Sequence, residues 1–353
     1  MNKPLSIYLD FIRFFAAAMV VIYHAGYDRF DGGWLDGLDL YGHDAVIMFF
    51  VLSGFVIAYV SNNKEKSFKP YMTSRFARLY SVVVPALILT LIADMIGRSI
   101  DPSMYVGKHY QDALPILRVI TNLLFVNELW FISVRPFSNG PFWSLPYEFW
   151  YYVIYAICFY YAGMKRFILA IVAMLIAGPK ILLLFPIWLF GVGVYHVCKK
   201  DRLGLWGALA FTIIPLIGYA TLKKMGAHDY ALQIMIDTFG YDFTHHNLRW
   251  SKRFLADYAV GGLFALHIIG MASLIKNVTV PITLEKPIRY LAGMTFALYL
   301  FHYPLLQLFG SIVHNGVVIF SLTIISIVLL APITEGKKHV WKRWIVRLTT
   351  RNR

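Results

Sequence analysis

An arginine and a histidine stand eleven residues apart in a stretch that is otherwise apolar, Arg13-Phe14-Phe15-Ala16-Ala17-Ala18-Met19-Val20-Val21-Ile22-Tyr23-His24. In a helix, eleven steps return to within about 20° of the starting face and travel about 16 Å along the axis. Both side chains therefore look into one interior at two depths. A guanidinium can hold an anion, and a neutral imidazole can take a proton from a hydroxyl. Ionisable groups are costly inside an apolar segment, which makes this pair the first candidate for function. The structural alternative is a salt bridge from Arg13 to Asp10, with His24 as a hydrogen-bonded packing residue.

The elements that must position the pair are membrane helices. Of 353 residues, 59% are hydrophobic and 15% charged, with a mean hydropathy of +0.61. That is more apolar surface than a soluble domain hides. The net charge of +14 lies largely in short loops and the tail, which points away from nucleic acid. Apolar stretches cover 7–26, 45–60, 76–97, 142–163, 167–178, 181–197, 203–222, 254–275, 288–310 and 316–332. They predict an all-α, polytopic membrane protein of about ten spans, with one membrane domain over 1–335 and a basic cytoplasmic tail over 336–353. No persuasive cleavage site follows the first stretch, so that span is expected to be retained. Cys158 and Cys198 both fall in apolar runs and read as small hydrophobes, giving neither a disulfide nor a metal set.

Charge orients the spans. The segment 116–132 is interrupted by Asn122, Asn127 and Glu128, and reads as interfacial or re-entrant. With both termini cytoplasmic, the cytoplasmic side then collects most of the 33 Lys and Arg residues, including Lys64, Lys66, Lys69, Lys199, Lys200, Arg202 and the tail after Lys337. Counting 116–132 as a span would move one of the later basic clusters to the wrong side. The tail mixes these cations with Trp341 and Trp344, as an anchor on anionic lipid would.

In this arrangement His24, Glu148 and His302 fall at similar depth near the outer side, a carboxylate and two imidazoles suited to proton transfer. Arg13 is deeper. Arg75 and Arg78 share a face at the cytoplasmic start of the third span and could clamp phosphate, although arginines there also satisfy the charge rule. His302 has two readings, a site residue or a brace for the kink at Pro304. Ser53-Gly54 reads as a close-packing point between helices, with an acyl-carrying Ser53 as the alternative. Asp94 and Asp257 could pair with other buried groups, while the outer His245-His246 admits a solvated or an acceptor-binding role.

Several strings then carry a resemblance. The Arg13 and His24 spacing, Phe49-Phe50-Val51-Leu52-Ser53-Gly54-Phe55, the Arg75 and Arg78 pair, Trp143-Ser144-Leu145-Pro146-Tyr147-Glu148 and Leu298-Tyr299-Leu300-Phe301-His302-Tyr303-Pro304 occur in this order. Together the chain resembles the acyltransferase 3 family of polytopic membrane enzymes. One departure is Tyr80-Ser81 after Arg78-Leu79, where the family often has a proline nearby.

The resemblance implies transfer of an acyl group, commonly acetyl, from cytoplasmic acyl-coenzyme A to a hydroxyl of an extracytoplasmic or lipid-linked glycan in the cell's inner membrane. It implies His24 as base, Glu148 as its orienting carboxylate, Arg13 with Arg75 and Arg78 as donor-binding groups, and no metal. Some family members carry a fused extracytoplasmic esterase-like domain, so any such partner here is expected to be a separate glycan-assembly protein. The competing reading is a transporter or flippase for a lipid-linked glycan or small anion, using the same buried charges as a pathway.

Overall fold

The computed structural model describes residues 1–31, 33–35, 37, 41–200 and 203–350, without the side chains of Asp31 and 348–350. Arg202 and the tail residues 351–353 lie outside the described residues. Among the described residues the regular structure is helical: α1 (Lys3–Ala25), α2 (Asp28–Asp31), α3 (Gly42–Asn63), α4 (Phe68–Ile100), α5 (Pro115–Leu123), α6 (Ser144–Tyr160), α7 (Gly163–Ala177) and α8 (Pro179–Lys200). There follow α9 (Leu205–Lys224), α10 (Ala227–Phe239), α11 (Phe254–Leu274), α12 (Ile282–Ala292), α13 (Thr295–Gly310), α14 (Gly316–Leu330) and α15 (Lys338–Thr350).

Each of the ten apolar stretches forms helix. Among the described residues seven helical segments are long and apolar enough to cross a membrane, and α12 with α13 make a further one bent by 50°. α6 and α7, at 17 and 15 residues, fall short of the roughly 20 residues a bilayer core demands. The expected single span over 288–310 is thus a broken one. Segment 116–132 is not a continuous helix: α5 ends at Leu123 and irregular chain runs on to Asn139. The loop after α9 holds a further helix, α10.

The centre of the bundle is α3, packed against α1, α6, α8 and α11. Its approach to α8 is very close. A Cβ on Gly54 would stand 1.9 Å from Trp188 O, and one on Gly191 would stand 1.9 Å from Val51 O. Small residues at this crossing let the two backbones touch, which is how helices associate where lipid removes the hydrophobic driving force. The outer helices show the converse pattern. α9 buries only Ala208 and Pro215, and α14 buries one stripe, Ile319, Thr323 and Ile327, while Val317, Ile325 and Leu329 are exposed.

The irregular segment after α5 is held by buried polar contacts. Lys180 Nζ lies 2.5 Å from both Glu128 Oε2 and Ile132 O, with the Lys180 and Glu128 side chains fully shielded. Ser138 donates its hydroxyl to Asp94 at 2.7 Å. These contacts offset the left-handed backbone at Phe125, Trp130 and Phe137, which costs on the order of 1 kcal/mol or more per non-glycine residue. They also answer the sequence's question about Asp94.

The two glycines of α8 give a matched test. Gly191→Ala should overpack the α3–α8 crossing and lower thermal stability in detergent, by about 1–3 kcal/mol. Gly193→Ala places its methyl in open space and should leave the melting temperature unchanged or slightly raised. Equal effects from the two would remove the close crossing as a stabilising contact.

Candidate active site

Pro304 has no N–H, so the Leu300 carbonyl loses its partner within α13. Asn139 Nδ2 takes that place, donating to Leu300 O at 2.9 Å and to Thr90 Oγ1 at 3.0 Å. The kinked helix is therefore pinned to the irregular segment and to α4. Two residues on from Leu300, this sets fully buried His302 opposite His24 of α1.

The hydrogen bonds of the two histidines define their tautomers. His302 Nδ1 lies 2.9 Å from Leu298 O, and a carbonyl oxygen only accepts, so in the neutral ring Nδ1 donates and Nε2 carries the lone pair. His24 Nδ1 lies 2.9 Å from Val20 O and 3.1 Å from His302 Nε2. Both of those atoms accept, so His24 Nδ1 bears the hydrogen and His24 Nε2 is left with a free lone pair. Tyr27 and Tyr303 set their rings edge-on around the imidazole, with centroids 5.5 and 5.1 Å away. Arg29 of α2 ties Tyr303 and Gln307 together at 2.8 and 2.5 Å, bracing α13 at this end.

Glu148 does not join this pair. The expected contact with His24 is absent, because Glu148 Oε1 is engaged by the Ser53 hydroxyl at 2.8 Å and by the Tyr152 hydroxyl. Trp188 Nε1 donates to Ser53 Oγ at 3.1 Å. Ser53 thus packs beside the glycine crossing, as the sequence suggested, and also carries a hydrogen bond to a carboxylate. Glu148 lines two small cavities, of about 50 and 40 Å³, together with Arg13, Phe49 and Arg78. It belongs to the deeper centre.

Arg13 is itself engaged. Its Nη2 lies 3.1 Å from Asp10, the salt bridge that the sequence offered as the structural alternative, and donates to Ala292 O at 3.0 Å. Ala292 ends α12. Four and five residues on, the amides of Phe296 and Ala297 at the start of α13 donate to Glu335 Oε2 at 2.9 and 3.0 Å. Arg13 and Glu335 hence satisfy the two backbone ends exposed by the break. Glu335 escaped the sequence reading because it directly follows the last apolar run and reads there as the boundary of the tail.

Arg75 and Arg78 part ways. Arg75 Nη2 contacts both carboxylate oxygens of Glu65 at 3.0 and 3.1 Å, and its guanidinium lies over Tyr71. Arg78 lines both small cavities and makes no side-chain hydrogen bond or ion pair among the described residues, although Glu148, Glu335 and Asp10 act on it electrostatically.

The deeper cavities and the histidine cavity share parts of their walls. Val46 and Tyr299 line the 50 Å³ cavity and also a 300 Å³ cavity that holds His24 and His43. That cavity shares Tyr23, Tyr27, Arg135, Trp143, Arg249 and Trp250 with a wider one of 780 Å³. Asp257 pairs with His43 at 3.0 Å, while His245 and His246 lie exposed and bond to carbonyls of their own turn. A base with a free lone pair at one end and an open cation at the other suits a reaction between a hydroxyl and an anionic donor. No group of three or more potential ligands among the described residues could hold a metal.

The family model described as Acyltransferase domain matches residues 6–335. The chain belongs to this family. It is 23% identical over 366 residues to a putative peptidoglycan O-acetyltransferase, YrhL, of Bacillus subtilis, covering 94% of this chain and 53% of that protein. Over 342 residues it is 25% identical to the peptidoglycan O-acetyltransferase OatA of Listeria monocytogenes, covering 85% and 49%. Over 196 residues it is 25% identical to an O-acetyl transferase of Shigella phage Sf6, covering 51% and 57%. The chain thus spans about half the length of these relatives. No solved structure matches it.

Replacing His302 separates positioning from packing. His302→Phe keeps the volume but removes one of the two acceptors of His24 Nδ1–H, while His302→Gln keeps an acceptor oxygen in reach. If His302 orients His24, Gln should retain part of the turnover that Phe loses, and the pH–rate profile should shift. Equal losses with an unchanged profile would leave His302 as a packing residue.

Proposed function

We propose that this protein is a multi-pass membrane O-acetyltransferase that moves an acetyl group from cytoplasmic acetyl-coenzyme A to a hydroxyl of an extracytoplasmic or lipid-linked glycan. In this reading the chain crosses the membrane about ten times with both termini cytoplasmic, so that the Arg13–Arg78 centre would face the donor side and His24 the acceptor side. The setting is the inner cell membrane. The observation that carries this reading is the His24–His302 pair, whose geometry leaves one lone pair facing a cavity that abuts the Arg78 cavity across Val46 and Tyr299. The names of the relatives support acetyl as the group transferred and a cell-wall or surface glycan as its acceptor.

In this mechanism Arg78 receives the donor phosphates, because its charge has no fixed partner, and Arg13 stiffens the wall beside it. Arg75 braces α4 through Glu65. The acceptor hydroxyl approaches His24 Nε2, which takes its proton as the oxygen attacks the thioester carbonyl. The tetrahedral intermediate collapses, the carbon–sulfur bond breaks, and His24 returns the proton to the leaving thiolate. The products are coenzyme A and the glycan ester. Glu148, bonded by Ser53 and Tyr152, keeps the cavity around Arg78 electrically balanced.

Purified protein in lipid nanodiscs with labelled acetyl-coenzyme A should release coenzyme A thiol and label a glycan acceptor. A transporter would move solute without consuming the thioester. His24→Ala should cut the rate by roughly 10²–10⁴-fold with normal membrane insertion; wild-type turnover in that variant would exclude it as the base.

Donor titration distinguishes the two arginines. Arg78→Lys keeps the charge but loses the planar fork, so the apparent KM for acetyl-coenzyme A should rise roughly tenfold or more, with part of the rate recovered at high donor. Arg75→Lys should lower thermal stability with little change in donor KM. The opposite pattern would move the donor phosphates to Arg75.

A further inference from the structure

The two wider cavities beyond His24 have an uneven charge. Arg29, Lys108, Arg135, Arg249, Lys252 and Arg253 line them, against Asp28 and Glu128. Glu128 is already committed to Lys180 at 2.5 Å, and Arg253 leans on Asp229 at 3.5 Å. The other five cations pair with no carboxylate among the described residues. Their hydrogen bonds go to neutral groups: Arg29 to Tyr303 and Gln307, Arg135 to Lys108 O, and Arg249 to His246 O. Arg135 Nε is buried without a partner. What folds over His24 is aromatic and basic.

The field registers on a loop histidine. Burial, then Arg29, Lys108 and Arg135, push the His109 imidazole down to about 4. Arg249 adopts a left-handed backbone, with φ 52° and ψ −111°, which costs on the order of 1–3 kcal/mol for a non-glycine residue. Beside it Trp250 stacks on Trp143 at 4.9 Å, and Trp143 stacks in turn on His43 at 6.0 Å. This gives an extended aromatic wall next to the cations.

We propose that this vestibule selects an acceptor glycan bearing acid groups on its own sugars, with Arg135 and Arg249 holding the anion while the Trp143–Trp250 wall supports the ring and brings a hydroxyl to His24. Unpaired cations in a walled cavity concentrate anions, and a flat aromatic wall supplies an apolar surface with polar rims for a sugar face. The assignment rests on the acetyltransferase reading for its product, but not for its binding step.

The test uses the full chain in phosphatidylcholine nanodiscs, with tryptophan fluorescence titrated by tetragalacturonic acid and by neutral galactotetraose. The acidic tetrasaccharide should bind roughly tenfold or more tightly, and the gap should narrow as salt rises. Arg249→Gln, at an exposed position, and Arg135→Gln should each reduce that preference. Arg98→Gln, which removes a cation lying outside both cavities, should not.

Equal binding of the two sugars, or a preference that survives both vestibule variants, would overturn the proposal. So would a prenyl diphosphate that binds through Arg135 and Arg249 where tetragalacturonic acid does not, since the anion would then belong to a lipid carrier. The two readings fail separately. Charge-selective binding without acetyl transfer to any acceptor would sink the enzyme, whereas equal transfer to acidic and neutral glycans would sink the vestibule's selectivity.

Discussion

A helix that stops inside an apolar slab exposes amides and carbonyls that lipid cannot satisfy, and the break between α12 and α13 imposes that constraint on this molecule. Arg13 covers the carbonyl end and Glu335 the amide end. The two come from opposite ends of the chain, so the first helix and the segment after α14 are both drawn to the same point. Asp10 and Arg289 extend the arrangement toward α12 at 2.9 Å, and Glu285 bonds Arg289 and Lys3. The open charge of Arg78 stands next to this satisfied cluster, which gives it a rigid surround.

The same logic recurs at Pro304. A proline frees one carbonyl, an asparagine from a distant loop meets it, and the loop becomes part of the wall that sets His302. His302, with the Val20 carbonyl, then fixes the tautomer of His24. An irregular segment with three strained aromatic residues thus reaches the reactive nitrogen through two hydrogen-bonded steps. The buried Lys180–Glu128 pair is weak ground for stability by itself, but it anchors that segment where its backbone would otherwise lack partners.

Much of this was legible in the residues. Apolar run lengths located all the main helices, and the Arg13 and His24 spacing put both on one interior face, because helical period is a local property. Depth was legible only along a single helix. Glu148 was therefore grouped with the wrong neighbours: its height said nothing about which helix α6 faces, and Ser53 and Tyr152 capture it. Arg75 and Arg78 have the same residue type and neighbouring positions, yet Glu65 in the preceding loop neutralises one and leaves the other open. Glu335 and the basic lining of the outer cavities depend on long-range folding that no spacing encodes. The break at Gly293 and Met294 was hidden because an apolar run reads the same whether its helix is continuous or not.

Val46 and Tyr299 line both the 50 Å³ cavity that holds Arg78 and the 300 Å³ cavity that holds His24. In a bilayer that carries a potential, each elementary charge that crosses exchanges roughly 2.3 kcal/mol per 100 mV with the field. On the proposed topology, a water-filled passage joining the Arg78 and His24 cavities would therefore short-circuit the membrane through the groups proposed to handle protons. A wall built from these two side chains would serve there as electrical insulation. Chemistry reaching across that wall would need a neutral arm, so that a valine and a tyrosine ring would stand where an open conduit would otherwise carry current.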